Sequence, residues 1–354
     1  MLILKYNSTI YKELLRVNAV VGTAKRTLIS EQKLGITAYE NNRFRTQQII
    51  RKVDLKTLES AIRFNNMTIV SDITKRWCHI MDRAECEANF ELLRKSLSFI
   101  YSSSALSSSS FDFGSLTMRM LYHLDLPEKA LELNDDLHIG GMFQRLTCSL
   151  VLGDLLFKRG MYEKLLEDIR ERRDLQSKQE KGTSRLMNYL AMAAYYKLNT
   201  PKHLDYALNV WADSVKEHQM DQSASFLAML AINQSKPEIA LEVLPPDNKR
   251  FSTANVRLIA LSECGRFNEA GNTMKDILST YERGFKISAE TIIGVQKTLQ
   301  DNLLNKDAVL CMDLLNEIVQ KRNISNMTID EILCWPVSEN VDRNDGELKK
   351  LKKQ

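Results

Sequence analysis

Five helix-breaking positions recur along the middle of this chain at a nearly constant interval, and that recurrence limits its fold more than any other feature. With Asp125, Gly160, Asn199, Ser235 and Gly265 as turn marks, successive spacings are 35, 39, 36 and 30 residues, a period of about 35. Apolar residues on either side of each mark follow helical spacing. Before Gly160, the pairs Val151/Leu155 and Leu152/Leu156 lie four apart on one face, and after it Tyr162, Leu165, Leu166 and Ile169 make a second stripe. Two such segments joined by so short a break fold back on one another as an αα-hairpin. Leu116, Met120, Leu121 and Leu124 repeat the arrangement before Asp125, as do Phe226, Leu227 and Leu230 before Ser235, and Val256, Ile259 and Ala260 before Gly265. After Asp125, Pro127 opens the next helix, and Asp125 with Glu128 three residues on predicts a capping box.

Self-similarity of this length predicts an all-α protein, an α-solenoid of stacked antiparallel helical hairpins in which each hairpin's apolar face is covered by its neighbour. Residues 115 to 280 are expected to form one unbroken right-handed stack of about five hairpins without strands. Composition agrees: 13 Gly and 6 Pro in 354 residues are too few for the many tight turns of a sandwich or barrel. The flanks divide by composition. The first thirty residues carry transit-peptide character, because Lys5, Lys12, Arg16, Lys25 and Arg26 face one acid, Glu13, while Ile10, Leu14 and Val17 recur at helical spacing, and residues 1–25 are the expected targeting segment. Residues 26–110 form an N-terminal helical region with an expected hairpin turn at Asn65 and Asn66 and a serine-rich loop, Tyr101 to Ser110. The repeats occupy 111–294, capping helices 295–334, and a charged tail 335–354.

Most chemistry is excluded. No phosphate-binding glycine loop, G-x-S-x-G or H-E-x-x-H occurs, and the histidines at 79, 123, 138, 203 and 218 do not cluster at ligand spacing, so no catalytic residue and no cofactor are expected. Cys78, His79, Asp82 and Cys86 come nearest to a metal site, but one helix rarely supplies a closed tetrahedral shell, and no metal is expected there. Six cysteines without a C-x-x-C pair fit buried thiols in a reducing compartment. No apolar run reaches the ~20 residues of a membrane span. The net charge of +4 leaves any nucleic-acid footprint to local clusters. Two stand out: Arg43, Arg45, Arg51, Lys52 and Lys56, among which Asp54 is the sole acid, and Arg170, Arg172 and Arg173 near a helix end. Either can serve phosphate contact or simply a solvated face.

The stretch Cys148 to Leu166, with Lys158-Arg159-Gly160-Met161, and the stretch Thr253 to Ala270, with Cys264-Gly265-Arg266-Phe267, resemble pentatricopeptide repeats. Together with Phe113-Gly114 through Leu126, Tyr195 to Pro201 and Ala231 to Gln234, they are similar to the pentatricopeptide repeat domain-containing protein 2 family of animal mitochondria. The resemblance implies a mitochondrial matrix location and a non-catalytic part in maturation of mitochondrial RNA that supports the respiratory chain. The implied partners are single-stranded mitochondrial RNA and RNA-processing proteins, with no small-molecule substrate. In the wider repeat family the fifth residue of a first helix reads a base edge. Counting back ten from each turn mark places Ser115, Leu150, Tyr189, Ser225 and Asn255 there, so the implied RNA-binding residues are Ser115, Ser225 and Asn255, with Arg119 and Arg257 supplying backbone attraction. The alternative is a protein-binding helical-repeat scaffold of the tetratricopeptide kind without direct RNA contact.

Overall fold

A computed structural model describes residues 27–104, 111–176, 185–213, 221–245, 250–279, 286–321 and 324–337. The expected targeting segment 1–25 and all but the first residues of the tail 335–354 lie outside them. Almost all of the described chain is helical. It groups into two compact units, Thr27–Met161 with Pro336–Glu339 and Tyr162–Trp335, so the division at Met161/Tyr162 falls inside the stretch that the turn period assigns to one stack. A turn period reports that hairpins form locally; it does not report how densely successive hairpins pack.

The first unit holds α1 (Glu31–Leu34), α2 (Ile36–Ile49), α3 (Leu55–Arg63), α4 (Met67–Ile80), α5 (Arg83–Ala88), α6 (Phe90–Ser104), α7 (Phe113–Leu124), α8 (Pro127–Asn134) and α9 (Leu146–Lys158). Helix α4 packs against α2, α3, α6 and α7, and α7 against α8 and α9. The second unit holds α10 (Tyr162–Gln176), α11 (Arg185–Leu198), α12 (Pro201–Asp213), α13 (Asp221–Asn233), α14 (Pro237–Val243), α15 (Phe251–Glu263), α16 (Phe267–Ser279), α17 (Ala289–Gln300), α18 (Lys306–Gln320) and α19 (Ile329–Leu333). Here the first helices α11, α13, α15 and α17 pack in succession, and each also contacts the second helix of its own hairpin. This is the solenoid arrangement. A first helix covered on both sides is buried nearly all round, which is why Met187 through Tyr195 of α11 are buried without a break.

The expected boundary at 294/295 falls within α17, because the helix begins at a Ser288 cap whose hydroxyl accepts from Glu290 N. At that cap, Ile287–Ser288 pairs in parallel with Ile324–Ser325, a two-residue sheet whose first strand lies inside the expected repeat range 111–294 but beyond residues 115 to 280, the stretch expected to be without strands.

Every turn mark is a residue in the left-handed region: Asp125, Gly160, Asn199, Ser235 and Gly265 have φ of 60°, 75°, 47°, 57° and 68°, and the expected earlier turn at Asn65 has 57°. Four of the five marks, and Asn65, close with the same pair of backbone bonds, as at Gly265, where Gly265 N donates to Ser262 O and Arg266 N to Leu261 O at 3.1 and 2.9 Å. That is the Schellman closure, which satisfies carbonyls the helix end leaves open. Asp125 therefore terminates α7 and does not cap α8; Leu126, which has no polar side-chain atom, occupies the cap position, and the Asp125 carboxylate is bound by Arg159. Gly265→Ala is expected to destabilise the second unit by about 1 kcal/mol in urea denaturation, through φ alone, since a Cβ there meets nothing within 4 Å.

Successive turns in the same unit are also tied side chain to turn. Arg159, one residue before Gly160, holds the Asp125 carboxylate and donates to the Asp125 carbonyl at 3.3 Å. Gln234, one residue before Ser235, donates to the Asn199 carbonyl at 3.1 Å and to its side-chain oxygen at 2.8 Å. The equivalent position thus makes the equivalent bond in each unit, which is repeat symmetry expressed in polar contacts.

Candidate nucleic-acid interface

The first-helix residues assigned to base reading lie inside the stack. Ser115, Ser225 and Asn255 are 4%, 0% and 1% exposed. Ser115 Oγ donates to Asp112 Oδ2 at 2.7 Å and lies 2.9 Å from Thr147 Oγ1, one hairpin on. Ser225 Oγ lies 3.4 Å from both Ser252 Oγ and Thr253 Oγ1 of the following first helix. Asn255 donates to Phe251 O at 2.8 Å while its Oδ1 accepts from Ser288 N at 2.8 Å and Thr291 Oγ1 at 2.9 Å. In all three cases the counted position bonds forward to the next first helix or its cap. A base edge cannot reach a side chain so enclosed, so in this arrangement the position pins hairpin to hairpin. Tyr189 is likewise buried and packs on Phe226, centroids 5.6 Å apart. Counting along a helix locates a residue on its face; it does not show that the next hairpin closes over that face.

The two arginines placed beside them are also committed to backbone carbonyls. Arg119 Nε donates to Leu34 O at 3.0 Å, and Arg257 Nη2 to Leu244 O at 3.5 Å and to Pro245 O. Of the α10 cluster, Arg172 forms a buried pair with Asp168 at 2.9 Å and Arg173 donates to Asn188 Oδ1 at 2.6 Å, leaving Arg170 exposed near the Tyr206 ring.

The N-terminal basic cluster divides differently. Arg43 Nη1 donates to His79 O and Met81 O at 3.0 and 2.7 Å, satisfying carbonyls at the end of α4. Arg45, Arg51 and Lys52 are exposed and have no ion-pair partner among the described residues. Lys56 is exposed beside Asp54, whose carboxylate caps α3 by accepting from Lys56 N and Thr57 N.

The most unusual polar residue of the first unit is Asp154, fully buried on α9 within the apolar run Leu150 to Phe157. Its Oδ1 accepts from Leu28 N at 2.7 Å and Ile29 N at 2.9 Å, and its Oδ2 from Tyr122 Oη at 2.9 Å. The Leu28–Ser30 segment is held on its other edge by Val337, with Val337 N to Leu28 O at 2.9 Å and Ser30 N to Val337 O at 3.1 Å. Burial pushes the Asp154 carboxyl up to about 6, against the lowering effect of its three donors and of Lys158. Its position shows an anchor for the N-terminal segment and no opening to a reactant. The buried thiols behave alike: burial pushes Cys78 up to about 12 and Cys86 to about 11. No group of three or more His, Cys, Asp or Glu among the described residues is placed to hold a metal ion, and no described helix is long and apolar enough to cross a membrane.

No protein-family model matches the chain. Among curated proteins it is similar to "Pentatricopeptide repeat-containing protein 2, mitochondrial" of Homo sapiens, 26% identical over 201 residues that cover 54% of this chain and 50% of that protein. The protein of the same name from Xenopus laevis is 26% identical over 332 residues, 88% of this chain and 82% of the relative, and that of Mus musculus 24% over 236 residues, 63% and 59%. The chain spans about half the length of the human relative. With its stacked hairpins, it is a distant homologue, at 23–26% identity, of animal mitochondrial proteins named for the pentatricopeptide repeat.

Proposed function

We propose that this chain is a non-catalytic helical-repeat protein that binds single-stranded RNA in the mitochondrial matrix and holds it for maturation enzymes. The observation that carries this is the joint one: repeat hairpins closed by left-handed turns at a period of about 35, in a chain whose distant relatives are named for that repeat and for the mitochondrion. A helical stack acts on a long partner by offering it an extended surface, which suits holding and presentation. Crosslinking in isolated mitochondria, followed by sequencing of RNA retained on the chain, tests it: enrichment of one or a few transcripts is expected, and recovery no greater than from a mock purification contradicts it. The location is tested by deleting residues 1–25 from a fluorescent fusion, which is expected to leave it in the cytosol; unchanged mitochondrial fluorescence contradicts a targeting role.

A protein-binding scaffold is the second reading, favoured by exposed apolar side chains at the end of the second unit, Leu304 before α18 and Leu310 on it. Recovery of a stoichiometric protein partner without RNA in the same purification selects it.

A further inference from the structure

We propose that the solvent face of α2, continued by Arg51 and Lys52 just beyond its end, is a binding site for single-stranded RNA. This rests on the RNA-binding function proposed above and places the contact away from the buried first-helix positions. Helix α2 is fixed along one side by side chains four apart. Tyr39 Oη donates to Cys78 O at 2.7 Å, Arg43 to His79 O and Met81 O, and Gln47 Nε2 reaches Ile80 O at 3.5 Å. At 100° per residue, these three occupy an arc of about 80°, and Asn41, Phe44, Arg45 and Gln48 occupy an arc of about 100° on the opposite side. All four are exposed, and none of the last ten residues of α2 is buried.

The composition of that face is what an unpaired strand requires. Phe44 is 65% exposed, an aromatic platform on a rigidly held helix, where water offers it nothing and a base offers a stacking partner. Asn41 and Gln48 present amides of the kind that pair with base edges. Arg45 shares that face and Arg51 and Lys52 follow just beyond the helix end; all three are exposed and without ion-pair partners among the described residues, so their charge is available to phosphate. Ile49, 82% exposed, extends the apolar contact. An acidic peptide would meet the same cations but brings no run of bases to stack on the Phe44 ring.

The test titrates a fluorescein-labelled oligouridylate with the full chain and with Phe44→Ala, Phe44→Trp and the triple variant Arg45→Glu, Arg51→Glu, Lys52→Glu. All of these positions are at the surface, and circular dichroism confirms folding. Phe44→Ala is expected to weaken binding about tenfold. Phe44→Trp is expected to retain it, and the triple charge reversal to weaken it further and flatten its dependence on salt. Wild-type affinity in both Phe44→Ala and the triple variant overturns the site while leaving the RNA function standing. Absence of binding by the wild type overturns both. Equal loss, in the same variants, of binding to anionic phosphatidylserine vesicles without loss for RNA overturns the assignment in favour of a membrane surface.

Discussion

Asp154→Ala is expected to destabilise the first unit by about 3–5 kcal/mol, enough to unfold a large fraction of the protein at physiological temperature. Truncation leaves Leu28 N, Ile29 N and Tyr122 Oη without their acceptor in a site closed to water, and each such group carries a desolvation penalty of about 1–3 kcal/mol. The parallel bridge between Ile29 and Val337 is expected to loosen with it, since the same short segment is held from both edges. Asp154→Asn is a milder change, because the amide oxygen still accepts from both backbone donors and Tyr122 can turn to accept from the amide nitrogen. The two variants also separate in pH dependence. The folded-state carboxyl lies at about 6 against an ordinary value of 3.8, so the folded protein holds this proton more tightly than the unfolded chain. The proton-linked part of its contribution, separate from the hydrogen bonds that truncation removes, is therefore fully present below the unfolded value and is lost as pH rises through about 6, an interval worth about 3 kcal/mol. Urea denaturation between pH 4 and pH 7 is expected to show that falling contribution in wild type and to lose it in Asp154→Asn; identical slopes would contradict the assignment.

Asn255→Ala is the second large effect, expected to destabilise the second unit by about 2–4 kcal/mol. The side chain joins three groups at once, the Phe251 carbonyl, the Ser288 amide and the Thr291 hydroxyl, and its loss leaves the latter two buried without that acceptor. A base-reading residue and a pin between hairpins make opposite demands. The first predicts lost affinity or altered base preference at unchanged stability, and the second lost stability with affinity retained in whatever fraction stays folded. The same comparison applied to Ser115→Ala and Ser225→Ala is expected to give smaller losses in the same direction, of about 1 kcal/mol each.

The fold was legible because the left-handed turn admits few residue types. Gly, Asn, Asp and Ser at even intervals mark places where a helix has to end, and all five marks proved to hold a positive φ. The stripes beside them gave the hairpins for the same reason that an amphipathic helix needs a partner. Less legible was anything determined by how hairpins meet. The spacing that located Ser115, Ser225 and Asn255 carries no information on whether the next first helix covers them. Helix α2 carries little hydrophobic period for sequence to show, because it is fixed by Tyr39, Arg43 and Gln47 donating to carbonyls. Asp154 did leave a signal, a lone acid inside an apolar run. Its partners, main-chain amides more than 120 residues earlier, have no signature in a single sequence.

The central claim, RNA held on the surface of a structural repeat stack, is tested most directly by titrating the full chain against a labelled single-stranded RNA and the duplex of the same sequence at several salt concentrations. The predicted result is tighter binding to the single strand, with affinity falling linearly on logarithmic axes at a slope of about −0.7 for each phosphate neutralised, hence about −2 for three cations. Equal binding to the duplex, or no binding to either RNA at low salt, would contradict it.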